Sequence, residues 1–390
     1  MIPITDSTEL AAFCRRQETA EFVAVDTEFM RDKTYWPILC LVQIAGPEEA
    51  VAIDTLAPGL DLQPLYDLMA VPAVTKVFHA ARQDIEIFFH RTGAIPNPLI
   101  DTQVVAMVSG FGDAVSYETL AAKLAGARID KTSRFTDWSQ RPLSERQLHY
   151  AIADVTHLRL AYERLMRRVR KEGRLDWVKE EMAVLTDPAT YRLDPREAWR
   201  RLKPRSDKPR FLALLRELAA WREEEAQRRD LPRNRLLRDE QLTEIAAHAP
   251  ADVEALARSR GLARGIADGR QGTAILEAVR RGVAVPPAEC PTLPPRPELP
   301  SGLRPVVDLL RVLLRTKCEL AGVADRLVAS GDDLQLIAAD DRAAVPALAG
   351  WRRELFGDDA LALKHGRTAL TTDGREVRIV SLAADRSAAS

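Results

Sequence analysis

The 390-residue chain is short of several things, and each shortage removes a class of protein. No apolar run approaches the roughly 20 residues needed to cross a bilayer. The N-terminal segment Met1-Ile2-Pro3-Ile4-Thr5-Asp6 has neither a basic stretch nor an apolar core, so an export signal is not expected. Cysteine is scarce: Cys14, Cys40, Cys290 and Cys318 form no Cys-x-x-Cys pair, which argues against a zinc site or a disulfide framework. They read as buried thiols in a reducing compartment, and a cytoplasmic location is the simplest expectation. Net charge is also nearly absent, at −1. That balance conceals an uneven distribution, because residues 1–195 carry 22 basic and 28 acidic groups while residues 196–281 carry 20 and 14. Carboxylates are concentrated early, and a phosphate-attracting excess lies in the middle.

What is present divides the chain into an α/β part and an all-helical part. Phe22-Val23-Ala24-Val25 leads into Asp26-Thr27-Glu28-Phe29 as a buried strand, and 38–45 and 50–54 look like neighbouring strands joined by a turn at 46–49. A strand over 75–78, a helix over 82–91 and a long helix over 143–171 with Ser144 as N-cap complete the expected frame, a mixed sheet beginning with a meander. From about residue 207 the apolar spacing is helical. Leu242-x-x-Ile245-Ala246-Ala247 and Val253-x-Ala255-Leu256-Ala257 recur 92 residues later as Leu334-x-x-Ile337-Ala338-Ala339 and Val345-x-Ala347-Leu348-Ala349, which predicts two copies of one helical module. A stiff connection with seven prolines over 285–300 separates them. The division expected is 1–175, 205–285 and 298–370, with 371–390 as a frayed tail.

Asp26 and Glu28 stand two apart on one strand and so leave the same face. Tyr150 and Asp154 stand four apart on one helix, and Asp84 opens the helix after the 75–78 strand. Clustered carboxylates need cations, and hard oxygen ligands select Mg²⁺ or Mn²⁺. Two such ions can clamp a phosphodiester, activating water on one side and offsetting charge on the leaving oxygen on the other, while a tyrosine hydroxyl orients the water.

Val25-Asp26-Thr27-Glu28-Phe29, His79-x-x-x-x-Asp84 and Tyr150-Ala151-x-x-Asp154 resemble the three motifs of the DEDD exonuclease superfamily, tyrosine subclass. Thr34-Tyr35-Trp36-Pro37, Leu99-Ile100-Asp101-Thr102-Gln103 and Thr136-Asp137-Trp138-Ser139-x-Arg141-Pro142-Leu143 narrow the likeness to the ribonuclease D family, and the helical repeat resembles its HRDC modules. The resemblance covers about residues 1 to 370. It implies a ribonuclease H-like α/β catalytic domain followed by two HRDC bundles. It further implies a 3′→5′ exoribonuclease that trims tRNA precursors and other small structured RNAs to 5′-monophosphates. Asp26, Glu28, Asp84 and Asp154 would bind two divalent ions (Mg²⁺ or Mn²⁺), Tyr150 would position the water, and Phe29 would pack against the terminal nucleotide. His79 and Gln43 are candidates for the same pocket or for buried structural roles. Arg82, inside the second motif, is a departure from the family pattern. Arg228, Arg229, Arg233, Arg235 and Arg238 cluster around one interhelix turn and are candidates to hold the folded body of the RNA, with a solvated loop as the other reading. Two alternatives stay open: a DNA-directed exonuclease with the same carboxylates, and a non-catalytic RNA-binding protein that recruits helicases.

Overall fold

The computed structural model describes residues 2–382, apart from 130–132, 134–135 and 294–299. The apolar run at Phe22 continues through the acidic pair as one strand, β1 (Phe22–Met30). β2 (Ile38–Ala45) and β3 (Ala50–Ile53) follow as an antiparallel meander, closed by a bond from Gly46 N to Glu49 O. β4 (Thr75–Phe78) and β5 (Leu99–Asp101) then add in parallel beyond β1, giving the order β3-β2-β1-β4-β5. β1 is therefore central, and its side chains alternate between two covered faces.

The helices of this part are α1 (Ser7–Gln17), α2 (Gln63–Ala70), α3 (Arg82–Thr92), α4 (Thr102–Met107), α5 (Tyr117–Ala125), α6 (Glu145–Lys171) and α7 (Leu175–Leu185). Ser144 caps α6 from outside, its hydroxyl accepting from Gln147 N while the Gln147 side chain accepts from Ser144 N. Such a reciprocal cap starts the helix at Glu145, two residues inside the expected start at 143. α6 lies across β1, β2 and β3 and buries Leu148, Ala151 and Ile152 against Cys40, Leu41 and Trp138. Arg141 fastens the loop before it, pairing with both oxygens of Asp54 at 2.6 and 2.7 Å and donating to Cys40 O and Trp138 O. No helix among the described residues is long and apolar enough to cross a membrane.

A second unit follows: α8 (Pro209–Arg229), α9 (Arg233–Leu236), α10 (Asp239–His248), α11 (Val253–Ala257), α12 (Arg264–Ala267) and α13 (Arg270–Ala284). Its core includes Trp199 and Leu202, which precede residue 205. A third unit repeats the succession with α14 (Arg304–Ala321), α15 (Asp325–Val328), α16 (Gly331–Ala339), α17 (Gly350–Arg352) and α18 (Asp358–Lys364) around its own core. Leu242, Ile245 and Ala246 of α10 are buried, as are their repeat counterparts Leu334, Ile337 and Ala338 of α16. The copies diverge where Pro346 replaces Glu254, and a 3₁₀ turn (Pro346–Leu348) stands in place of α11.

The end of the chain differs from the frayed tail expected over 371–390. β6 (Thr368–Asp373) and β7 (Glu376–Ser381) pair as a hairpin. Gly374, at φ +61°, makes its turn, and Leu370 and Ile379 pack on the third core. Residues 383–390 lie outside the described residues.

Both helical units dock on the α/β unit, at different places. Tyr35 and Trp36, in the β1–β2 connection, enter the second unit. Their backbone N–H groups donate to Asp230 Oδ1 at 3.0 and 2.9 Å, and the Tyr35 hydroxyl donates to the buried Glu223. The third unit sits on α4 and α7. Ala324 N donates to Met107 O at 2.9 Å, Arg174 bridges Val108 O and Ala321 O, and Trp177 stacks on Trp351 with centroids 4.4 Å apart.

Candidate active site

Asp26 and Glu28 leave the face of β1 that α6 crosses, and Tyr150 and Asp154 stand one turn apart on that helix. One carboxylate oxygen each of Asp26, Glu28 and Asp154 lies within 4.8 Å of the other two. They line a cleft of about 810 Å³ together with Phe29, Arg31, His79, Asp84 and Tyr150. Asp84 is buried in the first turn of α3, outside that triplet, and accepts a hydrogen bond from the Thr27 hydroxyl. Thr27 points to the face opposite its neighbours, so the strand's alternation places two carboxylates in the cleft and a hydroxyl against the third element.

The turn that delivers Asp84 is held by Asp101. Its carboxylate accepts from Ala80 N and Ala81 N at 2.9 Å each while capping α4 through Gln103 N at 2.8 Å. Ala80 sits at φ +57°, a conformation unfavourable for alanine that these bonds stabilise. Asp101 is thus a positioning residue, a role its place in the 99–103 stretch did not disclose.

The electrostatics are those of a cation site. Burial pushes the Asp26 carboxyl up to about 6, and burial together with the Asp26 charge pushes Asp84 well above the usual carboxylate range. Like charges gathered in a desolvated cleft favour protonation unless a cation neutralises them. Three carboxylates within reach of one point, with no thiolate or imidazole among them, suit a hard divalent ion. Tyr150 is raised by burial and then by the neighbouring Asp154, to which it hydrogen-bonds, so the phenol keeps its proton.

Of the other expected residues, Phe29 and His79 line the cleft. His79 Nδ1 lies 3.0 Å from Thr102 Oγ1, and burial holds the ring toward its neutral form. Gln43 is elsewhere: it is fully buried in β2 directly across from Asp26 and does not line the cleft. Arg82 is exposed at the start of α3, beside the cleft residues Gln83 and Asp84. The arginine cluster is split. Arg228 and Arg229 pair with Glu225 at the end of α8 and border a separate cavity with Trp221 and Arg270. Arg235 and Arg238 are exposed. Arg233 is half-buried, bound to Glu223 at 2.6 Å and to the Tyr35 hydroxyl at 2.9 Å, which ties it to the junction between units. Tyr117, missed in the sequence, lines the cleft from α5 and donates to Asp154 O.

Residues 1–170 match the family model of 3′-5′ exonucleases, and residues 211–279 match that of the HRDC domain. An acidic cleft on this mixed sheet therefore belongs to the class of 3′-5′ exonucleases, whose fold implies divalent metal ions. The chain is 55% identical over 381 residues to a ribonuclease D of Granulibacter bethesdensis, covering 97% of this chain and 96% of that one. It is 56% identical over 383 residues to a ribonuclease D of Acidiphilium cryptum, 97% of each chain. The fold matches the crystal structure of Escherichia coli RNase D, an exoribonuclease involved in structured RNA processing, with a TM-score of 0.79 at 29% identity, over 94% of this chain and 99% of that one. The chain belongs to the ribonuclease D family. It is a 3′-5′ exoribonuclease with RNA as its substrate and carries an HRDC domain. The DNA-directed and non-catalytic alternatives are not favoured by these likenesses.

Proposed function

We propose that this exoribonuclease works in the manner of the tyrosine subclass, removing one nucleotide at a time from the unpaired 3′ tails of tRNA precursors and other small structured RNAs. The observation that carries the reading is the convergence of Asp26, Glu28 and Asp154 in a cleft that also holds Asp84 and Tyr150. These four carboxylates would hold two divalent ions, Mg²⁺ or Mn²⁺. Ions bound there supply charge neutralisation to the phosphodiester and acidify the attacking water. The protonated Tyr150 hydroxyl orients that water, and Thr27 and Tyr117 fix the Asp84 carboxylate and the α6 backbone at Asp154. Phe29 offers a ring to the terminal base, and His79 lines the same cleft. A duplex hides its base edges in a deep, narrow groove, so the cleft takes a single strand.

The domain division proposed is a catalytic unit over 1–175, an HRDC module over 205–285 and a second module of the same kind over 298–370. The shared order of helices and the matching buried positions of α10 and α16 support the second copy. Arg228, Arg229 and Arg235 would meet the phosphates of the folded RNA body.

The test is digestion of a 5′-labelled RNA hairpin with a single-stranded 3′ tail. A ladder shortening from the 3′ end with Mg²⁺ or Mn²⁺, absent with EDTA, is expected. Saturating Mn²⁺, at about 100 times its Kd, should also stabilise the fold by roughly 2.7 kcal/mol, and Asp154→Ala should lose most of that gain. An intact label under every metal condition contradicts the reading.

A further inference from the structure

The junction between the α/β unit and the second unit encloses a cavity of about 330 Å³ that none of the residues assigned so far explains. Four guanidinium groups border it, those of Arg31, Arg201, Arg222 and Arg233, against two carboxylates, Glu223 and Asp239. Arg31 also lines the catalytic cleft, its guanidinium held by Glu86 at 2.8 and 3.1 Å and by Tyr35 O at 3.1 Å, so the two spaces share a wall. Glu223 is already engaged, receiving Arg233 through two nitrogens and the Tyr35 hydroxyl as well. Arg222 is 4% exposed. Its Nη1 reaches Leu237 O and Asp239 at 2.8 Å each, while its buried Nε has no partner among the described residues. A buried guanidinium N–H without an acceptor is destabilising, and it suits a site that an anion completes.

We infer that this junction cavity is a phosphate subsite for the RNA strand upstream of the nucleotide being removed, with Arg201 and Arg222 as its principal donors and Arg31 as the link to the cleft. The inference rests on the RNA-trimming reading above and adds a path for the strand. Guanidinium forks match phosphate oxygens, and a groove of cations beside a catalytic cleft tracks a single-stranded backbone. The site lies on the two-unit boundary, so the strand itself would bridge the units. The buried Arg222 contributes what exposed arginines of the same module do not: a donor already desolvated before the anion arrives.

Arg201 is exposed, which makes it the substitution least able to disturb the fold. Arg201→Ala and Arg201→Lys are compared with the native protein by fluorescence anisotropy in EDTA on a hairpin with a single-stranded 3′ tail, across a salt series, and by kcat/KM on that hairpin and on a dinucleotide. Arg201→Ala should weaken tailed-RNA binding roughly tenfold and reduce the slope of log Kobs against log salt by about 0.7. Arg201→Lys should restore part of both. The ratio of kcat/KM for tailed RNA over dinucleotide should fall with it. Unchanged slope and affinity in Arg201→Ala, or an equal loss on both substrates, overturns the subsite. Failure of the native protein to shorten either RNA would instead overturn the reaction itself.

Discussion

The two helical units follow the same order of helices and bury matching positions, yet they meet the α/β unit through different chemistry. The first receives Tyr35 and Trp36 into a polar junction of Glu223, Asp230 and Arg233 beside the cleft. The second presents the stacked Trp177–Trp351 pair, a backbone bond from Ala324 N to Met107 O, and two guanidinium contacts, Arg174 to Ala321 O and Arg352 to Glu181, away from the cleft residues. There the guanidinium groups are closed off by stacked rings and by Glu181, a contact that holds two surfaces together. The junction of the first differs in that its arginines border an open cavity that shares Arg31 with the cleft. One helical pattern thus serves as a brace in one place and, on the strand path proposed above, would wall the substrate in the other.

The sharpest way to break this contrast is Trp351→Ala. Removing one ring of a stacked, buried pair should lower unfolding free energy by about 3–5 kcal/mol, seen in denaturant titration, while kcat/KM of the folded fraction stays level. A large fall in kcat/KM would give the second unit a share in catalysis. Tyr35→Phe removes the hydroxyl that engages Glu223. It should reduce stability by about 1–3 kcal/mol and, unlike Trp351→Ala, raise KM on tailed RNA. Within the α/β unit, Lys76 provides a control: its buried ammonium donates to Val71 O, Val74 O and Asn97 O at 2.6–2.8 Å. Lys76→Met should lower stability by roughly 3 kcal/mol without altering the salt dependence of RNA binding. The smallest effect is expected for Arg228→Ala at the exposed end of α8. It should leave folding intact and reduce the salt slope of RNA binding by less than one unit.

The parts legible in the sequence were those fixed by local pattern. β1 and β2 follow from the apolar runs that open them, Phe22 to Val25 and Ile38 to Val42, β4 from a short run ending in Val77 and Phe78, and α3 and α6 from helical spacing and the Ser144 cap. The acidic triplet followed because alternation on a strand and a four-residue step on a helix both specify a face. What depended on distant partners was not legible. Tyr117 reaches Asp154 only because α5 packs on α6. Arg233 read as part of a basic turn, but its partner Tyr35 is 198 positions away. The closing hairpin hid behind a serine- and alanine-rich end, since its strands are short and are held by one Asp-Gly turn and two side chains on the third core.

On the proposed mechanism, carboxylates of β1, α3 and α6 perform the cleavage while other surfaces hold the RNA. The most direct measurement is single-turnover cleavage of the tailed hairpin by Asp26→Asn, beside its binding affinity for the same RNA. The expected result is at least a ~10³-fold loss of cleavage rate, about 4 kcal/mol of transition-state stabilisation, with affinity within a few-fold of the native protein. Cleavage near the native rate, or a loss of binding as large as the loss of cleavage, would contradict it.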